Sequence, residues 1–137
     1  MVDRPRVLAL IDVVEEHIGH LEGMTPRVHD KFAVDARTRL AVERAMQVAI
    51  EALLDASALV AAGKRVGLPA DEENVADGLL RVGCFSEDDA RVLGDLRRFR
   101  NVLVHQYGKL DPLRVHRHAL DAPEALRRLT GALRRCL

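Results

Sequence analysis

The chain has 137 residues, enough for one domain with a single buried core, and it carries 21 Lys and Arg against 21 Asp and Glu for a net charge of zero. That balance argues against a general nucleic-acid coat protein. Hydrophobic content is 48% with only 3% aromatic, and the apolar residues are mostly Leu, Val and Ala, which favours helices over sheet.

Periodicity predicts an all-α fold, a four- to five-helix up-and-down bundle forming one domain over 1–137. The first helix runs from about Arg6 to Leu21, with Val7, Leu10, Ile11, Val14 and Ile18 on one face, and Gly23 and Pro26 end it. Asp35 caps a second helix reaching Ala62 and stopping at Gly63. Ala45, Met46, Val48, Ala49, Ile50, Leu53, Leu54, Leu59 and Val60 cover most of its circumference, and only Glu43, Gln47, Glu51 and Asp55 form a polar stripe. A helix this apolar is the centre of a bundle or part of a subunit interface. The stripe is either its solvent face or a source of carboxylates for a site on a neighbouring helix.

Pro69 and Asp71 open a short helix from Glu72 to Val82, ended by Gly83. Ser86 with Asp89 three residues on is a capping-box signal for a helix from Glu87 to the Val104–Tyr107 region, with Gly108 as its stop. Asp111-Pro112 reads as cap and first position of a last helix toward Leu137. Pro123 is expected to interrupt it, with Asp121 recapping the second part.

No apolar run approaches the roughly 20 residues of a membrane span, so no membrane partner is expected. Asp12, Glu15, Glu16 and His17 interrupt any signal-peptide pattern. Cys84 and Cys136 are too few for a disulfide framework and lack metal-ligand spacing, so a reducing, cytoplasmic compartment is expected, with Cys84 a buried small hydrophobe. The pairs His17 with His20 and His116 with His118 lack companions for a metal and are read as surface histidines. No metal or cofactor is called for.

Charge is unevenly spread. From Asp71 to Asp89 there are seven acidic residues and one Arg, and from Arg91 to Arg117 seven basic residues and two Asp. The basic stretch is either a local phosphate-binding face or a surface laced with salt bridges.

The run Arg100-Asn101-Val102-Leu103-Val104-His105-Gln106-Tyr107 places a fixed cation, an imidazole and the only tyrosine within eight residues. On an ideal helix with Arg100 at 0°, Arg97 falls at about 60°, Asn101 at about 100°, His105 at about 140° and Tyr107 at about 340°. Leu93, Leu96, Phe99 and Leu103 fill the adjoining arc, so the polar group borders the core-facing stripe, where a cleft can form. His acts as general acid or base near neutral pH, and Arg neutralises a phosphate and stabilises charge developing on it. Asn101 can donate to the His or to a substrate oxygen, and Arg97 adds a supporting cation. An RNA 2′-hydroxyl attacks its own phosphate once deprotonated, so such a group needs no metal. The same residues also fit a hydrogen-bonded structural cluster.

The segments DARTRLAVERAMQVAIEALLD at Asp35–Asp55 and RRFRNVLVHQYGKLDPLRV at Arg97–Val115 resemble the HepT branch of the HEPN superfamily. Arg100, His105 and Tyr107 match the Arg-x-x-x-x-His-x-Tyr signature at every specified position, with Asn101 and Asp111 also familiar. The resemblance implies a HEPN-like homodimer with Arg100 and His105 of both subunits lining one cleft. It implies the toxin of a type VII-like toxin–antitoxin module, a metal-independent endoribonuclease acting on RNA. Its partner would be a minimal nucleotidyltransferase antitoxin that transfers AMP to Tyr107 and so silences it. The other implied role is a non-catalytic nucleotide- or substrate-binding module that partners a nucleotidyltransferase.

Overall fold

A computed structural model of the chain describes residues 1–64, 72–106 and 109–137. Among them are six helices and no strand: α1 (Arg4–Met24), α2 (His29–Val34), α3 (Ala36–Gly63), α4 (Glu72–Arg81), α5 (Glu87–His105) and α6 (Pro112–Arg135). The all-α bundle expected from the sequence is therefore present, with six helices where four or five were expected.

Caps set most of the helix starts. Asp3 accepts the Arg6 N–H at the head of α1, Asp35 accepts that of Thr38 at the head of α3, and Asp111 accepts that of Leu113 at the head of α6. The Ser86–Asp89 capping box is complete in both directions at 3.0 Å. The opening proposed at Pro69 and Asp71 and the stop at Gly108 lie outside the described residues. At the end of α4, Gly83 takes a φ of 78°, a left-handed conformation that L side chains rarely adopt.

α3 is the central element and packs against α1, α2, α4, α5 and α6. Val42, Met46, Ala49, Ile50, Leu53, Ala56 and Val60 are fully buried along it. It is long and apolar enough to cross a membrane by length and composition, and most of that apolar stretch is buried within the bundle. Leu40 on the same helix remains 66% exposed. From α1 come Val7, Ile11, Val14, Ile18 and Leu21, and from α6 Leu126, Leu129 and Leu133.

Four expectations are corrected. α1 begins earlier and runs past Gly23, because Asp3 caps it and Leu21 remains in the core. A short extra helix, α2, fills the link to α3; too short to show a period, it is anchored by fully buried Phe32. α6 continues through Pro123 for 24 residues, and Asp121 is an exposed mid-helix residue, not a cap. A proline costs one helical hydrogen bond and crowds the carbonyl four residues back. Here Ala119, Ala122, Pro123 and Leu126 are all buried, and that packing outweighs the local cost. Finally, Cys84 and Cys136, expected to stay unpaired in a reducing compartment, are joined as a disulfide with a Cα–Cα distance of 5.7 Å, because the packing of α6 brings its end against the α4–α5 turn. The cysteines thus give no ground for a cytoplasmic location.

Candidate active site

The C-terminal half of α5 carries Arg97, Arg100, Asn101 and His105. Its inward stripe is as expected: Leu93, Leu96, Phe99 and Leu103 are buried. Arg97, Arg100 and Asn101 are half-buried beside that stripe, and His105, the last helical residue, is exposed. Tyr107 lies outside the described residues.

Arg100 is held at two points. Its Nε–H donates to Asn101 Oδ1 at 2.9 Å, and its Nη2 donates to Glu72 Oε2 at 2.5 Å. The Arg100 side chain is 14% exposed and that of Glu72 48%. Asn101, expected to act as a donor, here accepts through its carbonyl oxygen, which leaves its amide N–H groups for another oxygen. The His105 side chain makes no hydrogen bond to the described residues. On helical geometry it stands about 7.5 Å along the axis from Arg100 and about 140° around it.

The carboxylate beside Arg100 comes from α4 and not from the polar stripe of α3. Gln47 donates to Glu51 at 3.1 Å within that stripe, Asp55 is exposed, and burial pushes the Glu43 carboxyl up against the opposing pull of Arg39. Glu72 escaped the sequence reading because its pairing spans 28 residues. The acidic run from Asp71 to Asp89 followed by basic residues was the one available signal. Between α4 and α5 lies a groove of about 190 Å³ with Glu72 and Asp77 on one wall and Arg91, Arg97 and Arg98 on the other. Arg91 also pairs with Asp88 and Asp95, and Arg98 with Asp95. Arg91 and Arg98 are therefore tied by salt bridges along their own helix, and Arg100 across to α4.

The histidines expected on the surface divide. His17 bonds the Val13 carbonyl at 2.8 Å, and His20 faces Glu16 at 3.6 Å. His116 is buried, its Nε2 2.6 Å from the Pro26 carbonyl, with Phe32 packed beside it. His118 stacks on Phe99 with ring centroids 3.9 Å apart, and burial, followed by the charge of Arg114, lowers its pKa against the opposing pull of Asp121 and Asp95. Neither His116 nor His118 is the solvated side chain that the spacing suggested. Among the described residues, no three His, Cys, Asp or Glu side chains are grouped to hold a metal.

The sequence profile of one protein family, described as "Ribonuclease HepT-like", matches residues 14–133. No curated protein matches the sequence. Among solved structures, the chain is similar to YutE from Bacillus subtilis, a cytosolic protein of unknown function, at 21% identity and a TM-score of 0.80, over 97% of this chain and 89% of that one. It is similar to the tri-AMPylated HEPN toxin of Shewanella oneidensis in complex with its MNT antitoxin, at 17% identity and a TM-score of 0.85, over 98% of each chain. A third similarity is to a toxin–antitoxin structure with AMP-PNP, at 15% identity and a TM-score of 0.85, over 95% of this chain and 98% of that one. At these identities the structures agree in fold.

Proposed function

Because the chain belongs to the HepT-like ribonuclease family, we propose that it is the toxin of a toxin–antitoxin module, a homodimeric, cytoplasmic endoribonuclease that works without a metal. The observation that carries this reading is the end of α5: a half-buried Arg100 gripped by Glu72 and Asn101, one and a half turns before an exposed His105. Such an arginine presents a planar donor fork to a phosphate, and an exposed histidine with no hydrogen-bond partner among the described residues is available to a substrate proton.

In this mechanism His105 takes the proton of an RNA 2′-hydroxyl. The 2′-oxygen attacks the adjacent phosphorus, and Arg100 stabilises the charge that builds on the phosphorane oxygens. The P–O5′ bond breaks, a proton passes to the departing 5′-oxygen, and the products are a 2′,3′-cyclic phosphate and a 5′-hydroxyl. Asn101 contributes its amide N–H groups to a phosphate oxygen, and Arg97 adds a nearby positive charge. In the dimer, Arg100 and His105 of both protomers line one cleft.

The regulatory half of the reading is that a minimal nucleotidyltransferase antitoxin silences the protein by moving AMP onto Tyr107. It is supported by the similarity to an AMPylated toxin held by an MNT antitoxin and by Tyr107 being the single tyrosine of the chain.

The deciding experiment is RNA cleavage by the purified protein in the presence of EDTA, with His105→Ala as the control. Cleavage that survives chelation and vanishes in the variant is the expected result. Nucleotide binding with no cleavage would instead identify a non-catalytic module that serves a nucleotidyltransferase.

A further inference from the structure

Glu72 is the first residue of α4, where the helix dipole favours an anion. Its carboxylate reaches across to Arg100 on α5. Arg91 and Arg98 find Asp95 on their own helix, whereas the Arg100 partner belongs to another element, so the orientation of Arg100 depends on where α4 sits. With Nε–H given to Asn101 and Nη2 given to Glu72, the guanidinium is held at two points. With Nε–H fixed on Asn101, turning about the Nε–Cζ bond moves only the Nη groups and breaks the Nη2 contact with Glu72. The Arg100 side chain is 14% exposed and that of Glu72 48%, so the guanidinium is sheltered while the carboxylate reaches it from the solvent side.

We propose that Glu72 is a positioning residue that fixes the plane of the Arg100 guanidinium, so that its remaining N–H groups meet an incoming RNA phosphate without rearrangement. This rests on the reading of Arg100 as the phosphate-binding group. A preset donor stabilises the transition state without reorganising when charge develops. A donor fork free to rotate loses that advantage, and the loss falls on kcat more than on KM.

The test compares wild type, Glu72→Ala and Glu72→Gln in two measurements. The first is kcat and KM for RNA cleavage. The second is the rate of Nε–Cζ rotation of Arg100 by ¹⁵N and ¹³C NMR, with the Arg100→Lys spectrum assigning the signal. Glu72→Ala should lower kcat about 10- to 100-fold while KM moves less than about threefold. Glu72→Gln keeps an acceptor oxygen and should recover kcat to within about threefold of wild type. Rotation should be hindered in wild type and at least about tenfold faster in Glu72→Ala, the signature of a released planar group. If Glu72→Ala fails to fold, Glu72→Asp, with its carboxylate drawn back by one methylene, carries the same expectation.

Three results overturn the proposal. Faster cleavage or tighter RNA binding in Glu72→Ala would make the carboxylate a competitor of the phosphate. A lower melting temperature with unchanged kcat would make it only a brace between α4 and α5. Rotation of Arg100 unaltered by the substitution would show that the group is held by something else. The NMR arm requires no cleavage, so an inactive wild type would sink the ribonuclease reading while leaving the positioning role to be decided by rotation alone.

Discussion

Asp89 and Arg128 join the start of α5 to α6 through a 2.6 Å contact between Asp89 Oδ1 and Arg128 Nε. The other oxygen of the same carboxylate accepts the Ser86 N–H at 3.0 Å, so one buried side chain closes a capping box and links two helices. Burial works to raise the Asp89 carboxyl, but the Ser86 backbone N–H, the Arg128 guanidinium and the Ser86 hydroxyl together hold it below its usual range. A carboxyl held low in the folded state stabilises the fold above the ordinary Asp pKa, and that contribution is lost as pH falls through the lowered value. Asp89→Asn should therefore be less stable than wild type at neutral pH, by about 2 kcal/mol from the weakened cap and ion contact. The gap should narrow below about pH 4, the ordinary range of an Asp carboxyl. Urea melts of both proteins across that range provide the measurement, and a gap that widens toward acid would contradict the account.

His105→Ala should abolish RNA cleavage and leave stability within about 0.5 kcal/mol, because the side chain is exposed and bonds to none of the described residues. Arg100→Lys should cost at least about 100-fold in kcat, since an ammonium lacks the planar fork and cannot satisfy Asn101, Glu72 and a phosphate together. Single-turnover kinetics with thermal melts separate these effects. Wild-type rates in either variant would remove the catalytic assignment.

Tyr107 should be the sole site of AMP transfer. Incubation with a nucleotidyltransferase antitoxin and ATP should add roughly 329 Da per transfer, and each AMP brings a phosphodiester charge to a site that holds RNA phosphate. Tyr107→Phe should show no increment and should escape silencing if it still cuts RNA. Peptide mass spectrometry locating the label on a serine, threonine or histidine would end this proposal.

His116→Ala should lower stability by about 2–3 kcal/mol, because it empties a buried volume and leaves the Pro26 carbonyl without its partner. Cleavage per folded molecule should be unchanged, since His116 packs against α2 and the loop before it and takes no part in the end of α5. A stable but inactive His116→Ala protein would mean that this histidine reaches the site.

What the sequence determined by itself was local. Asp35, Asp111 and the Ser86–Asp89 box sit two or three residues from the N–H groups they bind, so their effect hardly depends on the rest of the chain. The apolar stripe of α5 and the central place of α3 were likewise legible, because helical periodicity states which face must leave water. The Arg100, Asn101 and His105 cluster was visible for the same reason, three residues within one six-residue stretch of α5 carrying its chemistry. Tertiary structure decided whatever joins distant positions: Glu72 to Arg100 across 28 residues, Cys84 to Cys136 across 52, His116 to the Pro26 carbonyl across 90. It also decided Pro123, whose local preference for a break is overridden where its neighbours on α6 are packed into the core. Those outcomes depend on how helices pack against one another, and packing is a property of facing surfaces that no single stretch of sequence contains.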